Sequence, residues 1–191
     1  MGGTISNLYG GRIGIEKVLP GAMTKGLQGS KIIGVVSGAA HYSNETLAGW
    51  LGLGTDHLIS VPTDERFAMD LNLLEQLLNR SYRENKKVAF VIATFGTTDA
   101  FGMDDIAEIR RIMDEQAEIA QQPKPQLHVD GAVGWMLCFL NEYDLIKNPF
   151  SLTTETLQIV EKAQKYSEKL KEADSITVDS VSYTHLRAHE T

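Results

Sequence analysis

A single cysteine, Cys138, stands in 191 residues, so no disulfide can form within the chain. That scarcity fits a reducing compartment, and a cytoplasmic location is expected. No apolar run reaches the length of a membrane span, and the N-terminus lacks a basic segment followed by a hydrophobic stretch. Basic residues are outnumbered, 18 against 25 acidic ones, and the net charge of −7 argues against nucleic acid or a membrane surface as partner. Several signatures are also missing. There is no G-x-x-x-x-G-K-[ST], no G-x-G-x-x-G after a strand and no G-x-S-x-G, so a P-loop, a dinucleotide fold and a nucleophile elbow are unsupported. His128 and Asp130, two apart, share a strand face and would permit a metal pair. No second His or Cys cluster completes it, and no metal is expected. Cys138 reads as a packed small residue. No internal repeat or low-complexity linker divides the chain.

What is present is a 42% hydrophobic composition with 17 glycines, enough for one sizeable core with many tight turns. Short apolar runs alternate with amphipathic ones. "KIIGVVSG" (31–38), "HLISVPT" (57–63), "KVAFVIATFGTT" (87–98), "QLHVDGAVG" (126–134) and "SITVD" (175–179) read as strands. Between them lie expected helices. A glycine turn opens one through Val18, with Leu8, Ile13, Ile15 and Val18 as its apolar stripe. "HYSNETLAGWLGLG" ends at its glycines. "DLNLLEQLLNRSYREN" carries Leu71, Leu73, Leu74, Leu77 and Leu78 on one face behind an Asp70 cap. "MDDIAEIRRIMDEQAEIAQQ" is stopped by Pro123 and Pro125, and "TTETLQIVEKAQKYSEKLKEAD" is the last. Strands apolar enough to be covered on both faces predict an α/β fold, a mostly parallel sheet with helices on both sides.

Polar groups gather where such a sheet does chemistry, at the C-terminal ends of its strands: His41, Thr97 and Thr98, and Asp130. A carboxylate after an apolar strand must find a partner or be desolvated at a cost. Gly131 and Ala132 beside it leave room for something flat. The Gly2-Gly3 turn is either a plain turn or an anion site, since free N–H groups at a helix start suit phosphate. His41 alone is equally readable as a helix cap.

In order, "GGTISN", "AHYS", "ATFGTT" and "HVDGA" resemble the pyridoxal-phosphate-dependent amino-acid decarboxylases, the group that includes the glutamate and aromatic amino-acid enzymes. The resemblance runs from Gly2 to about Asp179. It implies the large domain of the fold type I pyridoxal-phosphate enzymes, in part, over 1–179, with an N-terminal segment and a C-terminal small domain belonging to the whole enzyme. It implies that backbone amides of Gly3, Thr4 and Ile5 hold the cofactor phosphate, that His41 stacks on the pyridine ring and helps position the reacting groups, and that Ala132 lies on the opposite ring face. It also implies that Thr98 lies close to the cofactor and that Asp130 pairs with the pyridinium nitrogen. At about 4 Å and an effective dielectric near 20 such a pair attracts by roughly 4 kcal/mol, which favours the protonated ring. A homodimer and a small amino-acid substrate are expected with it.

One part is missing. The family's last strand runs into a His-Lys pair whose lysine forms the Schiff base with the cofactor, and here Val181 and Ser182 take its place. Lys162, Lys165, Lys169 and Lys171 fit a solvated helix face instead. "VSYTHLRAHET" (181–191) resembles the translation of a transposase-type sequencing adapter. Residues 180–191 are therefore expected to be a non-native tail, with His185 and His189 excluded as ligands. On this reading the chain lacks the covalent anchor and is inactive. Two alternatives stay open: another fold type I lyase or aminotransferase, and a lysine-free homologue that serves as a binding subunit.

Overall fold

The computed structural model describes residues 2–180; the adapter-like stretch 181–191, with Val181, Ser182, His185 and His189, lies outside the described residues. Five strands form one all-parallel sheet in the order β2-β1-β3-β4-β5. They are β1 (Ile32–Ser37), β2 (Leu58–Val61), β3 (Lys87–Thr94), β4 (Gln126–Asp130) and β5 (Ser175–Thr177). The helices are α1 (Gly3–Val18), α2 (Ala22–Lys25), α3 (Ser43–Trp50), α4 (Leu71–Arg83), α5 (Ile106–Ile119) and α6 (Thr154–Glu168). The expected α/β architecture is what forms.

Both sheet faces are covered, which explains strands with little alternation. On one face Ile15 and Val18 of α1 and Leu47 and Ala48 of α3 cluster with Ile32, Val36, Phe90 and Ile92. On the other, Leu74 and Leu78 of α4 and Ile109 and Met113 of α5 meet Val35, Val91 and Val129. Each of these side chains other than that of Ala48 contributes about 1.5–3 kcal/mol on full burial. Asp70 caps α4 as expected, accepting from the backbone N–H groups of Asn72 and Leu73 at 2.9 and 3.0 Å.

Four helices differ from what the sequence leads one to expect. The five-leucine face of α4 is narrower, since Leu73 is 37% exposed. The α5 helix starts at Ile106 rather than Met103, because Asp105 caps it and Asp104 turns into the interior. The final helix stops at Glu168 and tightens into a 3-10 turn over Lys169–Glu172. The fourth difference is α1, which does not lie on the expected stripe: Ile13 is exposed, and the buried line is Asn7, Gly10, Gly11, Gly14, Ile15 and Val18. Glycines let this helix lie directly on β3, β4 and β5. A Cβ on Gly10 would come within 2.4 Å of His128 Nδ1, and one on Gly14 within 2.5 Å of the Ala89 carbonyl.

The last strand also departs from expectation. β5 is the sheet edge, and its polar residues face inward: Thr177 is fully buried, while Ile176 and Val178 are 37% and 56% exposed. Hydrogen bonds to His128 and Asn7, described below, account for the inversion.

Candidate active site

Because every strand runs the same way, β1, β3, β4 and β5 all deliver their C-terminal ends to one edge, where α1 begins. A cleft of about 320 Å³ opens there, lined by Gly3, Thr4, His41, Thr98, Asp130 and Ala132 together with Gly2, Ser43, Thr94, Gly96, Thr97, Val133 and Asp179. Its size lies at the small end of ligand sites. Of the residues that the resemblance assigns to the cofactor, Ile5 alone is not among its lining.

The start of α1 has no side-chain cap. The Gly3 amide donates to Asp179 Oδ2 at 2.9 Å, and the Ile5 amide donates to the Gly2 carbonyl at 3.1 Å. A carboxylate on a helix N-terminus is favourable. His41 sits between β1 and α3. Its Nδ1 accepts from the Ser43 backbone N–H at 3.2 Å and lies 2.8 Å from Ser43 Oγ. An Nδ1 that accepts from an amide leaves the ring proton on Nε2. The cap role and a site role are therefore compatible in one imidazole.

After β3 the chain turns at Gly96, whose φ of +89° is a left-handed conformation that favours glycine. Thr97 is committed to that turn, since its Oγ1 accepts from the Gly102 amide at 2.8 Å. Thr98 is exposed on the cleft, which separates the two threonines that sequence alone leaves side by side.

Asp130, 7% exposed, closes β4. Its Oδ1 accepts from the Ala132 amide at 3.1 Å and its Oδ2 from Asn7 Nδ2 at 2.6 Å. Behind it His128, 2% exposed, is held neutral: burial pushes its pKa down to about 4, despite the Asp130 charge that pulls it up. No group of three or more possible metal ligands occurs among the described residues.

Several site residues are invisible in the sequence reading. Asn7 carried a signal, an Asn in a helix interior, where that residue is disfavoured unless its side chain has a partner. Asp104 did not. Its buried carboxylate takes N–H bonds from Thr94 at 2.7 Å and Met69 at 2.6 Å, tying two loops to the end of β3. Burial pushes its pKa up to about 6 against those two donors. Thr94 faces the cleft, and its buried Oγ1 has no hydrogen-bond partner among the described residues. Together with the small residues Gly3, Gly96 and Ala132 and the carboxylate of Asp130, it fits a flat group with polar edges.

A parallel α/β domain with a polar, glycine-lined cleft at its strand ends is the cofactor-binding kind of domain. Residues 1–143 match the model of the pyridoxal-dependent decarboxylase conserved domain, and the chain belongs to that family, whose cofactor is pyridoxal phosphate. It is 36% identical to glutamate decarboxylase of Drosophila melanogaster over 135 residues, 70% of this chain and 25% of that one. It is 34% identical to human acidic amino acid decarboxylase GADL1 over 134 residues, 70% of this chain and 24% of the relative. The crystal structure of mouse CSAD in apo form superposes with a TM-score of 0.68 at 26% identity, covering 92% of this chain and 31% of that one. At 16% identity, Oryza sativa TDC with PLP shares the fold, with a TM-score of 0.66. The chain thus spans about a quarter of the length of the curated relatives it matches. Among the described residues no helix is long and apolar enough to cross a membrane.

Proposed function

We propose that this chain is the cofactor-binding core, residues 1–179, of an enzyme that decarboxylates an L-amino acid to the amine and CO₂. The observation that carries the reading is convergence: the start of α1, His41, Thr98, Asp130 and Ala132 come from four separate stretches of sequence and line one cleft. The family match supports it. When bound, pyridoxal phosphate supplies the sink for the electron pair left on the substrate's α-carbon as CO₂ departs. The chain's own residues divide the remaining work. Asp130 offers its carboxylate to the ring nitrogen. His41 presents an Nε2–H to the cleft, and Ala132 leaves space for the ring. Gly3 and Thr4 receive the phosphate at the helix start, and Asp179, now on the Gly3 amide, gives way to it. The exposed Phe139, Ile146 and Phe150 support a subunit contact in a homodimer, and the lone Cys138 supports a cytoplasmic setting.

On this reading Val181-Ser182 displaces the His-Lys pair, residues 180–191 are not native, and the chain as given turns over no substrate. The test is release of CO₂ from L-glutamate and L-2,4-diaminobutyrate, with pyridoxal phosphate present. It compares this chain with the longer frame obtained by sequencing the source DNA through the Asp179 codon. The expected result is no release here and release from the longer frame. A source gene that encodes Val181–Thr191 and stops would overturn the enzyme reading in favour of a binding subunit.

A further inference from the structure

Beneath Asp130 lies a chain of polar side chains, buried at Asn7, His128, Thr177 and Gln126 and half-buried at Ser175, that the fold is shaped to hold. Asn7 Nδ2 donates to Asp130 Oδ2 at 2.6 Å. This fixes the sense of the Asn7 amide, so its Oδ1 faces the other way, 3.0 Å from His128 Nε2 and 2.6 Å from Thr177 Oγ1. A carbonyl oxygen only accepts, so the Thr177 hydroxyl donates to it, and the His128 Nε2–H, which also lies 2.9 Å from Thr177 Oγ1, is shared between the two oxygens. With the proton on Nε2, His128 Nδ1 is an acceptor, and the Ser175 hydroxyl at 2.8 Å donates to it. Ser175 Oγ in turn accepts from Gln126 Nε2 at 3.2 Å, and Gln126 Oε1 accepts from Lys17 Nζ at 3.3 Å. Every link points its donor toward Asp130.

The cost of building this is visible. Asn7 is 1% exposed in a helix interior, where a side-chain amide is costly unless its polar atoms find partners. Gly10, one turn on, leaves α1 no side chain where the His128 ring lies. β5 turns Ser175 and Thr177 inward and leaves Ile176 exposed, as is Val178 just beyond it. Three elements thus give up apolar packing along one line that ends at a single carboxylate.

We propose that Asn7, itself oriented by His128 and Thr177, is a positioning residue that fixes the plane of the Asp130 carboxylate for the ring nitrogen of pyridoxal phosphate. This role rests on the assignment of Asp130 to that nitrogen. Without Asn7, the Ala132 amide is the one hydrogen-bond donor left to Asp130 among the described residues, and the carboxylate is free to turn about it.

The experiment uses pyridoxal phosphate labelled with ¹⁵N in the ring, bound to the full chain, and reads the ring-nitrogen NMR shift near pH 7.5. Asp130→Asn should move the signal to that of the neutral ring. Asn7→Leu and His128→Phe should move it part of the way and weaken cofactor binding by about tenfold, equal to about 1.4 kcal/mol. His128→Gln, whose amide nitrogen can stand near the place of Nε2, should restore it. A purely structural role would lower the melting temperature and leave the ring signal unmoved. If Asp130→Asn moves the signal while Asn7→Leu and His128→Phe do not, the positioning role is wrong and the Asp130 assignment stands. If Asp130→Asn leaves it unmoved, or the chain does not bind the cofactor, the assignment itself falls and the role with it. Should Asn7→Leu fail to fold, the His128 pair carries the test. Imidazole ¹H–¹⁵N correlations of the cofactor-free chain add a check: His128 protonated on Nε2 is required, and protonation on Nδ1 overturns the relay.

Discussion

Replacing Asp104 by Asn and His128 by Phe should bend the pH dependence of stability in opposite directions. Burial raises Asp104 from an ordinary 3.8 to about 6, so between those values the folded chain holds a proton that the unfolded chain has released. Its contribution to stability therefore falls as pH rises from about 4 to 6, by about 3 kcal/mol. Burial lowers His128 from 6.5 to about 4, so over nearly the same window the unfolded chain holds the extra proton. Its contribution rises with pH by about 3 kcal/mol. In the native chain the two nearly cancel.

Each substitution also carries a fixed cost. Asn at 104 turns an N–H toward one of the two backbone donors that now reach its carboxylate, and Phe at 128 strips partners from Ser175 and Asn7. Those costs are of order 1–3 kcal/mol each and do not depend on pH, so the slope is the informative quantity. Urea unfolding from pH 4 to 7 would be fitted for each chain, and the native curve subtracted. The difference should climb by about 3 kcal/mol across the window for Asp104→Asn and descend by a similar amount for His128→Phe. Flat difference curves for both would show that neither group titrates as its burial requires, and that the interior around β3 and β4 is wetter than described.

Two further perturbations probe the cleft. Ala132→Leu puts bulk where the ring is proposed to lie; it should weaken pyridoxal phosphate binding roughly tenfold to a hundredfold while the melting temperature stays nearly constant, as calorimetry and thermal unfolding can check. Asp179→Asn keeps an acceptor for the Gly3 amide but removes a negative charge from the proposed phosphate position. Binding of pyridoxal phosphate should tighten about tenfold and that of phosphate-free pyridoxal should not change; equal effects on both would place the phosphate elsewhere.

The sheet was legible because burial on both faces leaves a simple mark: runs such as Lys87–Thr94, apolar without alternation, short and bounded by turn residues, fit covered strands. The site edge was legible for the same reason, since His41, Thr98 and Asp130 follow such runs directly. What failed was the assumption that an inward face is apolar. The α1 helix buries Asn7 and three glycines, and β5 buries Thr177 in preference to Ile176, because both serve the hydrogen bonds around His128. His128 and Asp130 are spaced as a metal pair would be. Their link runs instead through an asparagine more than a hundred residues away, which no spacing rule reaches. Asp104 escaped because it stands beside Asp105, the true helix cap, and only tertiary contact separates the two.

Calorimetric titration of pyridoxal phosphate into the full chain and into Asp130→Ala tests whether the cleft at the strand ends holds the cofactor through Asp130. Saturable binding at one site per chain is expected, weakened at least tenfold by the substitution. Absence of binding to the native chain, or binding that Asp130→Ala leaves unchanged, would contradict this.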